Sequence, residues 1–286
     1  MAHKIALITD STCDIPPEWL KKYEITVVPL SIIFGGTPYL DGIDMSPAEF
    51  YQRLSQGTHH PTTSQPTPAA FIQAYQSAAD SGAEQAVVIT ISSAMSGTIQ
   101  SARQAAEGAP LPVTVVDGKN NGMGLGWQVI AAARARDNGG DLRAMLAAVE
   151  YVRAHMVYYV SLDTIDYLSK GGRIADAVSF VNSFLKIKPL VFVKPDSGTV
   201  GASIPARSRK SALDGLFKEF SRHFTPGQKL HITVAHNNAL PEAEEVAARV
   251  EEVFHPLEMN INFASPVLGA HTGPQAVCIL GYAEPG

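Results

Sequence analysis

Cysteine is scarce: only Cys13 and Cys278 occur, far apart and without metal-ligand spacing, so they suggest neither a disulfide framework nor a zinc site. Charged residues make up only 17% of the chain, and no run of Lys or Arg gathers a positive field. With a net charge of −5 and a pI near 6.0, the sequence has nothing to attract a phosphate backbone, and no nucleic acid is expected as a partner. No uninterrupted apolar run approaches the roughly 20 residues that span a bilayer. The first ten residues lack the basic region, apolar stretch and cleavage site of a leader peptide. The expectation is a soluble, cytoplasmic protein that meets any lipid from water. Familiar catalytic signatures are missing too: there is no Gly-x-Ser-x-Gly elbow, no phosphate loop ending in Gly-Lys-Ser/Thr and no His-Glu-x-x-His helix. The string Gly122-Met123-Gly124-Leu125-Gly126 puts Trp127 where a dinucleotide fingerprint needs its last glycine.

What is present is a globular chain of 286 residues, 45% hydrophobic, with a mean hydropathy of +0.04. That length favours two domains, each able to bury its own core. Short apolar runs at 5–8, 25–33, 86–91 and 113–116 read as strands, and small polar loops followed by helices separate most of them. Gly35-Gly36 followed by 37–40 reads as a turn into a hairpin arm, and Ser46 with Glu49 has the spacing of a capping box on a helix to about Leu54. Residues 58–68, rich in Thr, Ser, Pro and His, read as a loop, with His59 and His60 on the solvated surface. Helices are expected over 69–79, from the loop at 92–98 to about Ala106, over 124–136 and over 141–154.

This pattern predicts an N-terminal three-layer α/β/α domain with a parallel sheet over 1–155, carrying a small arm near 31–45. After His155 the style changes. Candidate strands at 157–161, 190–193, 199–204, 230–235, 257–263 and 275–280, with helices near 174–185, 208–223 and 241–254, predict a C-terminal two-layer α+β domain with a mixed sheet over 156–286.

Ligands of an open parallel sheet bind beyond the carboxyl ends of its strands, where helix N-termini converge. Three small-residue loops fall there: 9–12, 92–98 and 117–122. In the second, Gly97 permits close backbone approach, and the hydroxyl of Ser96 with neighbouring amides can face an anion; ordinary helix capping is the plainer reading. Thr62-Thr63-Ser64-Gln65-Pro66 adds a second hydroxyl cluster with the same plain alternative. His271 precedes Thr272-Gly273-Pro274, a loop whose amides can join such a site. Arg173 follows Gly171-Gly172 and is expected to be exposed.

Taken in order, Thr9-Asp10-Ser11-Thr12, Thr63-Ser64-Gln65-Pro66, Ile91-Ser92-Ser93 with Ser96-Gly97-Thr98, Lys170-Gly171-Gly172-Arg173-Ile174, Lys188-Pro189 and His271-Thr272-Gly273-Pro274 resemble the DegV family of bacterial fatty-acid-binding proteins, from about residue 4 to 282. Cys13 and Gly118 stand where Ala and Ser are commoner, and Gln275 where a third small residue often follows Gly-Pro. The resemblance implies a lipid tunnel between the two domains, holding a palmitate-like acid whose carboxyl is bound by Thr63 and Ser96. It implies that Ser64, Ser93, Gly97, Thr272 and Gly273 belong to the same head-group site. It places Arg173, Arg207 and His271 where they support the head group or the docking of a separate fatty acid kinase that makes the acyl phosphate. A protein with no catalysis of its own, no metal and no cofactor is implied, with a transient membrane-surface contact admitted.

Burying such a tail yields roughly 11 kcal/mol at about 0.8 kcal/mol per methylene. Association costs of about 4–15 kcal/mol oppose it, so head-group contacts decide retention. Candidate tunnel walls are the helical segments 99–106, 123–133 and 178–185. Two alternatives compete: a serine-dependent acyl hydrolase using Ser96 and His271, and a protein adaptor that binds no lipid.

Overall fold

The computed structural model describes residues 4–57, 59–174, 187–203 and 205–285. Four of the predicted apolar runs build one parallel sheet: β1 (Ile5–Asp10), β2 (Ile25–Val28), β6 (Gln85–Thr90) and β7 (Val113–Asp117), in the order β2-β1-β6-β7. Both faces are covered, which is why β6 is apolar along almost its whole length. On one face Ile8, Ala86 and Val88 pack against α3 (Pro68–Asp80) and α4 (Thr98–Ala106). On the other, Leu7, Val87 and Ile89 pack against α5 (Gly122–Asp137), with α1 (Pro17–Lys22) and α6 (Leu142–His155) beside it.

A six-stranded mixed sheet follows, in the order β10-β9-β8-β13-β11-β12. Its strands are β8 (Val157–Ser161), β9 (Leu190–Val193), β10 (Val200–Ala202), β11 (Leu230–His236), β12 (Glu258–Phe263) and β13 (Val277–Ala283). One face carries α8 (Arg209–Ser221) and α9 (Leu240–Phe254). Side chains of the other face, among them Tyr158, Val191 and Cys278, share a single buried cluster with α5, β1 and β6. Helix α5 therefore lies between two sheets, and it is buried on nearly all sides. Its Trp127 has no exposed surface, and the indole Nε1 donates to Thr233 on β11 at 3.0 Å. The predicted helix at 174–185 falls outside the described residues except for its first position.

The strand read as 25–33 is two strands. Proline 29 has no N–H to give a ladder, and after it the chain leaves the parallel sheet to start β3 (Ser31–Phe34), which pairs antiparallel with β4 (Thr37–Leu40). The predicted hairpin arm is present, but it has a third strand. Residues 62–64, expected to be loop, form β5 (Thr62–Ser64) against β3, with Ile32 opposite Thr63. A polar three-residue edge strand carries no apolar alternation to betray it; the partner strand alone makes it a strand. Both histidines are exposed as expected, with His59 edge-on to Phe34 of this arm and His60 against the ring of Tyr167. Helix α2 (Pro47–Ser55) is capped by Ser46, whose hydroxyl accepts from the Glu49 amide. The reciprocal half of the expected box is absent, because the Glu49 carboxylate instead accepts from Arg53 one turn on.

Two short helices went unread in the sequence: α7 (Asp166–Lys170) and α10 (Pro266–Thr272). Both are shorter than the span over which a helical period becomes visible. The arm packs on α10 through Leu30, Ile32, Phe34, Phe50, Val267 and Ala270. Among the described residues, no helix is long and apolar enough to cross a membrane.

Candidate functional site

Three independently positioned segments meet at one cavity. The arm brings Thr63 and Ser64 on β5, the β6–α4 loop brings Ser96 and Gly97, and α10 brings His271 and Thr272. The cavity behind them is about 360 Å³, within the range of small-molecule sites. Its walls are apolar, with Ile91, Val160, Val191, Val200, Val267 and Leu268 among them.

Those walls correct the expectation that helices 99–106 and 123–133 line the channel. Ile99, Ala102 and the α5 side chains are already spent on packing between sheets and helices. The mixed sheet and α10 face the space instead, while 178–185 lies outside the described residues.

At the mouth, Thr63 Oγ1 and His271 Nε2 are 2.9 Å apart. Burial pushes the His271 ring down to about 4, and the cations of Arg173 and of protonated His60 push the same way, so the imidazole is neutral at pH 7. Its Nδ1 is buried without a partner. With its proton on Nε2 the ring donates to Thr63 and leaves the threonine hydroxyl hydrogen free to point into the cavity. The residue sits in the last turn of α10, which also takes in Thr272, so the expected loop begins only at Gly273.

Ser96 Oγ lies 2.9 Å from Thr98 Oγ1 and accepts from the Thr98 amide at 3.3 Å, a local turn bond one residue ahead of Gly97, the N-cap of α4, which has no side-chain cap. The nucleophile–base pair that a Ser96–His271 hydrolase needs does not appear among the hydrogen bonds of the described residues; His271 meets Thr63. Arg173 is exposed and lines the mouth, with Nε donating to the Met95 carbonyl at 3.1 Å and Nη1 to that of Gly171 at 2.7 Å.

Other predicted residues lie apart from the cavity. Ser93 is exposed, and its hydroxyl donates to Asp117 at 2.5 Å. Arg207 is an exposed residue just before Ser208, the N-cap of α8. Gly273 ends α10 at φ 72° with the Tyr167 ring packed where a side chain would stand, and it contributes a carbonyl rather than a cavity surface.

Two residues were missed. Asn237, 3% exposed at the end of β11, donates through Nδ2 to Thr272 Oγ1 at 2.7 Å and to the Gly273 carbonyl at 2.5 Å, holding the C-terminus of α10. An Asn after an apolar strand reads as turn chemistry, so no sequence signal marks it. Asn121, in the last of the three small-residue loops, lines the cavity and donates to the Met95 sulfur. Deeper in, the Cys278 thiol is pushed up to about 12, chiefly by burial, and stays protonated and unreactive.

The class that these features define is an α/β protein, with a parallel sheet, a mixed sheet and a three-stranded arm, enclosing an apolar chamber behind a hydroxyl-rich mouth. Comparison supplies the family. A family model described as uncharacterised protein, DegV family, matches residues 4–284, and the chain belongs to that family. It is 34% identical over 275 residues to a DegV domain-containing protein of Streptomyces coelicolor, covering 96% of each chain. A DegV family protein of Thermus thermophilus, described as fatty acid binding, matches with a TM-score of 0.91 at 32% identity, over 98% of this chain and 99% of its own. DegV of Bacillus subtilis, described as a fatty acid binding protein, matches at 0.88 with 25% identity, over 99% of this chain and 100% of its own.

Proposed function

We propose that this protein holds one long-chain fatty acid, palmitate-like in length, with its tail in the cavity and its carboxylate between the Thr63 and Ser96 hydroxyls. One observation carries the reading: hydroxyls from two distant segments and a neutral histidine converge at the open end of a chamber whose remaining wall is mostly apolar. Hydroxyl donors bind a carboxylate by charge-assisted hydrogen bonds without enclosing a counter-ion. The carboxylate so held stays reactive, with its head toward the exposed Arg173, and is presented to a separate kinase for conversion to the acyl phosphate. The relatives described as fatty acid binding support the ligand class.

Native mass spectrometry of the purified protein, with extraction of its lipid, tests this directly. The expected result is a copurifying acid of roughly palmitate length, lost or strongly reduced in a Thr63→Ala, Ser96→Ala double variant that folds normally. Lipid-free protein from several independent preparations, or equal occupancy in the double variant, overturns it.

A further inference from the structure

Thr63 and Ser96 belong to different packing units. Thr63 rides on the arm, whose apolar face is seated on α10, whereas Ser96 rides on a loop of the parallel sheet. The chain runs on from Thr63 into α3, and α3 packs on α4 just beyond Ser96, so the core of the parallel sheet already brings the two segments near each other. Among the described residues a single hydrogen bond joins 62–66 to 92–101: Gln65 Nε2 donates to Ser101 Oγ in α4 at 3.0 Å. Ser101 is buried, so the acceptor end of this bond is anchored in the helix.

Gly97 belongs to the same arrangement. Its backbone, at φ −77° and ψ 10°, suits any residue. What excludes a side chain there is space: a Cβ on Gly97 would stand 2.0 Å from Gln65 Oε1 and 2.8 Å from its Cδ. The Gln65 amide therefore occupies the space a side chain on Gly97 would need, one residue after Ser96, and reaches Ser101 from there.

We propose that Gln65 is the positioning residue of the head-group site, bridging the arm to α4 across Gly97 and setting the separation at which the Thr63 and Ser96 hydroxyls take one carboxylate. The inference rests on the two-hydroxyl reading above. A grip made from two segments loses its advantage when either drifts by about half an ångström or more, and a glutamine tied at both ends limits that drift.

The test compares palmitate with hexadecanol, which has the same tail and no carboxylate, by equilibrium binding to delipidated protein. Gln65→Ala removes the bridge. Gly97→Ala displaces it while leaving every hydroxyl in place, and the atoms it meets are the movable end of a side chain, so the fold survives. Each variant is expected to lose about three- to tenfold in palmitate affinity, the worth of one hydrogen bond, with hexadecanol binding unchanged. The Gln65→Ala, Gly97→Ala double variant should be no weaker than the worse single, because both remove one contact.

Unchanged palmitate affinity in both singles overturns the inference, as does an equal loss for both ligands, which is the mark of a collapsed chamber. The Thr63→Ala, Ser96→Ala variant separates the two readings. If it loses the preference for palmitate while Gln65→Ala keeps it, the bridge alone is wrong; if it keeps the preference, the grip itself is wrong and the bridge falls with it.

Discussion

Two polar clusters join the same parts of this molecule and behave in opposite ways. The mouth gathers Thr63, Ser96 and His271 from the arm, the parallel sheet and α10, and it borders a cavity. The second cluster gathers Asp10, Ser11 and Asp14 after β1, Asp41 after β4, and Ser265 before α10. There Asp10 accepts from the Thr12 amide and hydroxyl and from the Ile91 amide, at 3.0, 2.6 and 2.7 Å. Asp14 accepts from the Ser265 amide, and Ser11 donates to Asp41 while accepting from the Leu30 amide. Burial raises all three carboxyls above the ordinary range, Asp41 to about 7. Most groups of the second cluster are spent on protein donors, with Asp41 Oδ1 left buried without a partner, and they hold parts together; the mouth keeps hydroxyls facing an apolar chamber and has something left for a ligand.

The sharpest way to break this contrast is Asp10→Ala, which strands three donors in a dry environment. Destabilisation of about 3 kcal/mol or more is expected by denaturant titration, against less than about 1 kcal/mol for the Thr63→Ala, Ser96→Ala pair. Similar losses for the two would erase the distinction between joint and site.

Proton linkage gives an intermediate effect. Asp41 titrates near 3.8 when unfolded and near 7 when folded, so the folded state binds the extra proton between these values and stability falls as pH rises through that window. His271 works the other way. Its folded value of about 4 lies below the ordinary 6.5, so its contribution is full above 6.5 and is lost as pH falls through 4. Asp41→Asn is expected to lessen this decline by up to a few kcal/mol, with the share of Asp10 and Asp14 remaining, and to leave lipid retention at pH 7 intact. A thermal-melting series from pH 4 to 8 reads the slope, and an unaltered decline would show that Asp41 is not its source. At the small end stands Ser93→Ala: a hydroxyl turned to Asp117 outside the cavity should leave bound lipid unchanged by mass spectrometry, and a clear loss would bring that loop into the site.

The layered plan was legible in the sequence because it rests on periodicity. Strands β1, β6 and β7 are short apolar runs closed by small polar loops, and the capped helices Pro47–Ser55 and Pro68–Asp80 announce themselves by Ser46 and Thr67 before proline. Hydroxyl-bearing loops ahead of helices were equally visible, but that pattern alone left capping as the plainer reading, and it was the resemblance to the DegV family that pointed to Thr63 and Ser96. Failures came where a residue's neighbours are distant in the chain. Strand β5 exists only because β3 lies beside it, and Pro29 ends a strand that hydropathy would continue.

By itself the sequence determined most of the longer strands and helices and which segments carry oxygen donors, since these follow from local backbone preference and the alternation of apolar residues. Tertiary structure alone decided that α5 would be consumed between two sheets, so that the mixed sheet and α10 wall the chamber. It also decided that Gln65 would lie across Gly97, and that Asn237 would hold the turn beside His271. Such contacts span tens to hundreds of residues, and burial of one face against another, which no local pattern encodes, selects them.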